Sequence, residues 1–299
     1  ALGFFGCMVQ SNSIGSTIQM AFGIPSWIVG IFLVIICGFI FMGGVDRLAS
    51  VTEKLVPVMA AFFLIGGLGV LAMRLQYIPE TFGLIFKYAF QPQAIIGGGF
   101  GIAIKTAVSQ GAKRGLFSNE AGMGSTPHAH ALALVKNPHE QGCVAMVGVF
   151  IDTFIVLTLN ALVIISTLYA GNGPLANGYV GEAANTLKNT NLAQVAFGVV
   201  YGDKAGAVFV AICLFFFAFS TILGWNLFAK INVTYLFGKK AQRPFMLVAL
   251  VFIFLGTIGE SDLVWACSDM FNQLMVIPNA IALFALTGVV TKMLGDRDK

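Results

Sequence analysis

Eight long apolar stretches run through this 299-residue chain, and the short polar connections between them hold most of its lysines and arginines. A helix needs about 20 apolar residues to cross the hydrocarbon layer of a bilayer. The stretches at 1–22, 24–43, 55–73, 94–112, 143–169, 205–228, 244–258 and 263–291 are of that order. Charged residues make up 10% of the chain and hydrophobic ones 58%, whereas a soluble domain carries roughly 25% charged residues. Too few polar groups remain to cover a surface in water. The expected fold class is therefore an all-α membrane protein with about eight transmembrane segments.

Basic residues set the expected orientation. Arg47, Lys54, Lys113, Arg114, Lys136, Lys230, Lys239, Lys240, Arg243, Lys292, Arg297 and Lys299 fall on one side, and Arg74, Lys87, Lys188 and Lys204 on the other. Lysine and arginine mark cytoplasmic connections, which predicts a cytoplasmic C-terminus in a plasma membrane of the bacterial inner-membrane type. The net charge of +4 is this asymmetry. No basic stretch is interleaved with stacking aromatics, so nucleic acid is not an expected partner. Cys7, Cys37, Cys143, Cys213 and Cys267 lie mostly within apolar stretches and form no Cys-x-x-Cys pair; they read as small core residues. The first stretch opens apolar at Ala1-Leu2-Gly3, without a start methionine. It carries none of the marks of a signal peptide and reads as the latter part of a helix in a C-terminal fragment.

A helix in lipid satisfies its own backbone hydrogen bonds, so breaks at depth are tolerated only against protein or a watery cavity. The first stretch carries Gln10-Ser11-Asn12-Ser13, either as glue between helices or as an amide facing a substrate. The fourth holds Gly97-Gly98-Gly99-Phe100-Gly101, Lys105-Thr106 and Ser109-Gln110-Gly111, then Lys113-Arg114 and a glycine-rich run to Pro127. Discontinuous helices of this kind build transporter sites, where half-helix N-termini face a carboxylate and freed carbonyls hold a cation. The alternative is an intact helix followed by an inner loop. A phosphate loop is not supported, because no Gly-Lys-Ser/Thr closes the run.

Ser220 and Thr221 follow an aromatic run. Their hydroxyls either replace part of a Na⁺ hydration shell or bond back to the preceding turn. Trp225 reads by default as an interfacial anchor. Asp152 is the deeper acid, either a coupling group or half of a structural pair; Asp269 lies near the outer end of its stretch and is either a functional acid or simply wet. His128 and His130, two residues apart, do not share a helix face, which argues against zinc. No nucleophile–base pair suggests an enzyme, and no ring of like charge suggests a channel. Residues 78–90 read as a helix on the outer surface, and 171–204 as a loop long enough to cover the outer mouth.

The run Arg114-Gly115-Leu116-Phe117-Ser118-Asn119-Glu120-Ala121-Gly122-Met123-Gly124-Ser125 resembles the sodium:alanine/glycine symporter family. Met8-Val9-Gln10-Ser11-Asn12-Ser13, Phe150-Ile151-Asp152-Thr153, Ser220-Thr221-Ile222-Leu223-Gly224-Trp225 and Met275-Val276-Ile277-Pro278-Asn279 support it, in order along nearly the whole chain. The resemblance implies a leucine-transporter-type bundle of two inverted repeats around a midplane site, here lacking its first two helices. Residues 1–77 would end the first repeat and 94–295 form the second. It implies a monomeric secondary transporter carrying a small neutral amino acid, alanine or glycine, together with Na⁺ as coupling ion, with no other cofactor and no enzymatic activity. Proton coupling, and less readily an ion channel, are the alternatives. By the same resemblance Gln10, Thr106, Phe117, Asn119 and Trp225 would bind the amino acid, and Ser220 and Thr221 the Na⁺.

Overall fold

The computed structural model describes residues 1–90, 100–120, 122–176, 187 and 191–295, and every regular element among them is helical. A π turn at Leu2–Gly6 leads into α1 (Cys7–Phe22), which a left-handed Gly23 ends. Then come α2 (Ser26–Met42), α3 (Gly44–Met73), α4 (Ile78–Phe90) and α5 (Phe100–Asn119). The remainder are α6 (Pro138–Tyr169), α7 (Asn191–Tyr201), α8 (Asp203–Phe237), α9 (Gln242–Ile258) and α10 (Ser261–Gly295). Within α6 the geometry widens to π at Ile151–Leu157 and Ile165–Tyr169. All eight apolar stretches contain helix. Five, in α3, α6, α8, α9 and α10, are long and apolar enough to cross a membrane. Of the others, α1 and α2 have 16 and 17 residues, and α5 carries Lys105, Lys113 and Arg114.

The outward faces are apolar. Ile35, Phe39, Ile65, Ile281 and Phe284 are each at least 60% exposed, an arrangement suited to lipid and costly in water. Inside, α8 is the axis on which α1, α3, α7 and α9 pack. It runs antiparallel to α1: Gly3 meets Ala229, Gly6 meets the Trp225 ring, and the Cys7 thiol points at the Ile222 carbonyl. Further along, the Gln194 amide of α7 donates to Thr17 O of α1 and Ala207 O of α8. Close approach at Gly6 leaves no room for a β-carbon. A second core gathers Val70, Leu159, Val163, Phe197 and Val210 from α3, α6, α7 and α8.

The polar residues of α1 divide. Asn12 Nδ2 donates to Gly256 O and Gly259 O, and its Oδ1 accepts from Ser261 Oγ. It thus supplies the donors that the last carbonyls of α9 lack, which is the role of glue.

Three expectations change. Residues 100–119 form one uninterrupted helix, so the break expected at Gly101–Gly111 is absent; Gly97–Gly99 lie outside the described residues. Isolated glycines cost a helix about 1 kcal/mol each without stopping it. Lys113 and Arg114 accordingly belong to α5 and not to an inner loop. The stretch 171–204 is not one loop: α7 and the start of α8 occupy its second half, and Leu175 N–H bonds back to Leu168 O at the end of α6. Residues 177–186 and 188–190 of that stretch lie outside the described residues.

Candidate functional site

The chain breaks where α5 ends. Glu120 takes φ 51°, and is the one non-glycine in the left-handed region among the described residues. Gly122 and Gly124 follow at φ 82° and 78°, and a single helical turn, Pro127–His130, resumes beyond them. Three left-handed residues within five cannot continue a right-handed helix. The break therefore falls at the Phe117–Asn119 end of the expected region.

Neighbouring helices hold the broken segment from several sides. Ser118 Oγ donates to Asp152 Oδ2 and Thr153 Oγ1 donates to Asn119 Oδ1, each at 2.9 Å, so two successive residues of α5 meet two successive residues of the first π stretch of α6. Single π stretches are frequent at functional sites. From α10, Asn279 Nδ2 donates to Gly122 O at 2.9 Å, and a β-carbon on Gly124 would sit 2.8 Å from Asn279 Oδ1. From α8, Asn232 meets His128 Nε2 at 2.8 Å, while His128 Nδ1 lies 2.8 Å from Ser125 O. A tautomer protonated at Nδ1 satisfies both.

Above the break Arg114 makes a two-pronged ion pair with Asp269, at 3.2 and 3.0 Å, and its guanidinium lies 4.8 Å from the Trp265 ring centre. Asp269 is therefore a paired residue and not simply a wetted one. Beside this pair a cavity of about 820 Å³ is lined by Arg114, Asp152, Asn160, Phe217, Asp262 and Asp269, among others. Three carboxylates against one guanidinium give its wall an acidic balance that favours cations.

Of the residues expected to bind, Phe117, Asn119 and Trp225 come together at the break. The Phe117 ring stands edge-on to Trp225 at 5.5 Å and lies 5.6 Å from Trp265. Trp225 is only 2% exposed, and its indole N–H donates to Glu120 Oε1. The anchor reading fails here, because α1 and α5 wrap the ring and keep it from any interface. Gln10 is half-buried and lies one turn after Gly6 on α1. The antiparallel register puts it level with the Phe217–Thr221 turn of α8. Ser220 and Thr221 both donate to Phe217 O, at 2.9 and 3.0 Å. Donating the proton inward leaves oxygen lone pairs for an ion. Thr106 falls in the first half of α5, and its side chain lies outside the described residues.

Sequence reasoning missed Glu120, Thr153 and Asn232 as members of the site. The signal for Glu120 was present, since Glu120, Gly122 and Gly124 stand within five residues. Thr153 and Asn232 had no local signal; only packing brings them in. Among the described residues no group of three or more His, Cys, Asp or Glu side chains is placed to hold a metal ion.

The sequence matches the sodium:alanine symporter family along residues 1–299. It is 38% identical over 286 residues to the sodium/alanine symporter AgcS of Methanococcus maripaludis, covering 95% of this chain and 60% of that protein. It is 37% identical over 290 residues to the sodium/proton-dependent alanine carrier protein of Bacillus sp. strain PS3, covering 93% and 63%. An uncharacterized transporter of Haemophilus influenzae is 39% identical over 295 residues, covering 98% and 59%. The chain spans about three-fifths of the length of these curated relatives. With its apolar helices and this match along its whole length, it is a multi-pass membrane protein that belongs to the sodium:alanine symporter family.

Proposed function

We propose that this chain forms the greater part of a secondary transporter that couples inward Na⁺ movement to uptake of a small neutral amino acid, alanine or glycine. The observation that carries the reading is the break at Glu120–Gly124. Around it Ser118 and Asn119 bond to α6, Trp225 of α8 donates to the Glu120 carboxylate and Asn279 of α10 holds Gly122 O, with the Phe117 and Trp225 rings alongside. Unwound backbone at depth offers amides to a carboxylate and carbonyls to a cation. Trp225, edge-on to Phe117, would close the site and limit the size of the side chain it admits. Ser220 and Thr221 would hold the Na⁺, and Gln10, Phe117, Asn119 and Trp225 the amino acid. Thr106 remains a candidate by resemblance alone.

In this reading α1–α3 stand as helices three to five of a leucine-transporter-type inverted repeat, and α5, α6, α8, α9 and α10 as helices six to ten. The C-terminus is cytoplasmic and the protein sits as a monomer in the plasma membrane. The membrane potential supplies about 2.3 kcal/mol per charge per 100 mV. Sodium would stabilise the ordered break, so the amino acid meets a formed site and binds more tightly.

A proton-coupled mode is the second reading. Asp152 favours it, because this carboxylate lines the large cavity and bonds to the broken helix through Ser118. One experiment separates the two. Vesicles containing the full-length protein are given a Na⁺ gradient at fixed pH or a pH gradient without Na⁺, with labelled alanine, glycine and serine. Accumulation driven by Na⁺ alone is expected. Accumulation driven only by the pH gradient, and lost in Asp152→Asn, would select proton coupling, and no accumulation under either gradient would end both readings.

A further inference from the structure

We propose that Glu120 is itself a cation ligand, its Oε2 receiving a compact monovalent cation that is either the alkali ion or the ammonium group of the amino acid. The transport reading supplies only the identity of these two candidates.

The argument begins with backbone strain. A residue with a β-carbon in the left-handed region costs about 1 kcal/mol or more, so something fixes Glu120 there. The conformation aims its side chain at α8, where Trp225 donates its indole N–H to Oε1. Trp225 is itself buried against Gly6 and Phe117, so this carboxylate oxygen is fixed by a rigid donor. The other oxygen, Oε2, is sealed from solvent and has no hydrogen-bond partner in the structure. Among the described residues no basic group answers it either, since the ion pair found there joins Arg114 to Asp269. A buried carboxylate with one hydrogen bond and no counter-charge is costly.

A cation answers both the charge and the open lone pairs. Asp152 is the instructive contrast. Its Oδ2 accepts from Ser118 and the residue lines an open cavity, so water can complete its shell. Position points the same way: Thr221, a proposed Na⁺ ligand, lies one turn before Trp225 on the same face of α8. The Glu120 carboxylate meets α8 beside that face and would bring a full negative charge to ligands that otherwise carry only dipoles.

The test measures binding and does not depend on transport. Full-length protein is purified in detergent as wild type, Glu120→Gln and Glu120→Asp. Melting temperature is followed while NaCl replaces choline chloride without amino acid, then while L-alanine is added at fixed NaCl, with propionate, which lacks the ammonium, as control. Glu120→Gln keeps the shape and the Trp225 acceptor but loses the charge. It is expected to raise the half-effect concentration about tenfold or more, which corresponds to 1.4 kcal/mol, in the Na⁺ series if the alkali ion is seated there. A change confined to the alanine series assigns the ammonium. Glu120→Asp, with the charge kept on a shorter arm, is expected to fall between wild type and Gln, and supplies the comparison if Gln does not fold. Both curves unchanged in the variants, or no stabilisation of wild type by either probe, overturns the proposal. Wild type that binds both probes yet fails to accumulate alanine refutes the transport reading alone.

Discussion

Asn12 shows what a single side chain can do between helices. Its amide closes two carbonyls at the end of α9 and accepts the hydroxyl that opens α10, so three segments meet on one residue. Hydrogen bonds between membrane helices contribute about 0.6 kcal/mol on average, and an orphaned buried acceptor costs about 1–3 kcal/mol. Asn12→Ala is expected to cost about 2 kcal/mol, read as a lower melting temperature in detergent. An unchanged melting temperature would refute the capping role. The residue scale is also where the sequence was hardest to read. Gln10-Ser11-Asn12-Ser13 announced polarity at depth, but nothing in those four letters told glue from ligand, because the partners lie more than 240 positions away for Asn12. The default reading of Trp225 as an anchor failed for the same reason, while its role by resemblance was to bind the amino acid. A tryptophan near the end of an apolar stretch looks like an anchor until Gly6 and Phe117 are known to enclose it.

Among elements, α5 and the break that follows it have glycines that separate by position. Gly111 lies within the helix and a β-carbon there would meet open space, whereas Gly124 has φ 78° and faces Asn279. Alanine at Gly111 is expected to stabilise by about 0.5–1 kcal/mol through helix propensity. Alanine at Gly124 is expected to destabilise by about 2–4 kcal/mol, from the left-handed backbone together with overpacking. Paired melting curves of Gly111→Ala and Gly124→Ala check this, and shifts of the same sign would contradict the placement of the break. Composition alone marked the whole of 97–125 as loosened. The distinction between tolerated and decisive glycines depends on clustering of left-handed residues and on contacts from α6 and α10, and neither is written in a local count of glycine.

For the whole molecule the apolar stretches were the most legible feature, because bilayer thickness imposes one length on every crossing segment. Their ends were less legible: α8 runs to Phe237, nine residues past the expected limit. Lys113 and Arg114 stand on α5, and Arg47, Lys54, Lys230, Arg243 and Lys292 stand on α3, α8, α9 and α10; the cytoplasmic C-terminus is a proposal from the charge asymmetry of the sequence. A C-terminal fluorescent-protein fusion, which matures only in the cytoplasm, is expected to fluoresce; a dark but full-length product would invert the topology. The two longest rods, α8 and α10, have 35 residues each, or about 52 Å at 1.5 Å per residue. The hydrocarbon slab is only about 30 Å deep, so neither can stand upright within it. They must lean or protrude, and the lean their packing imposes is also the pitch at which Trp225 and Asn279 are presented to the broken helix.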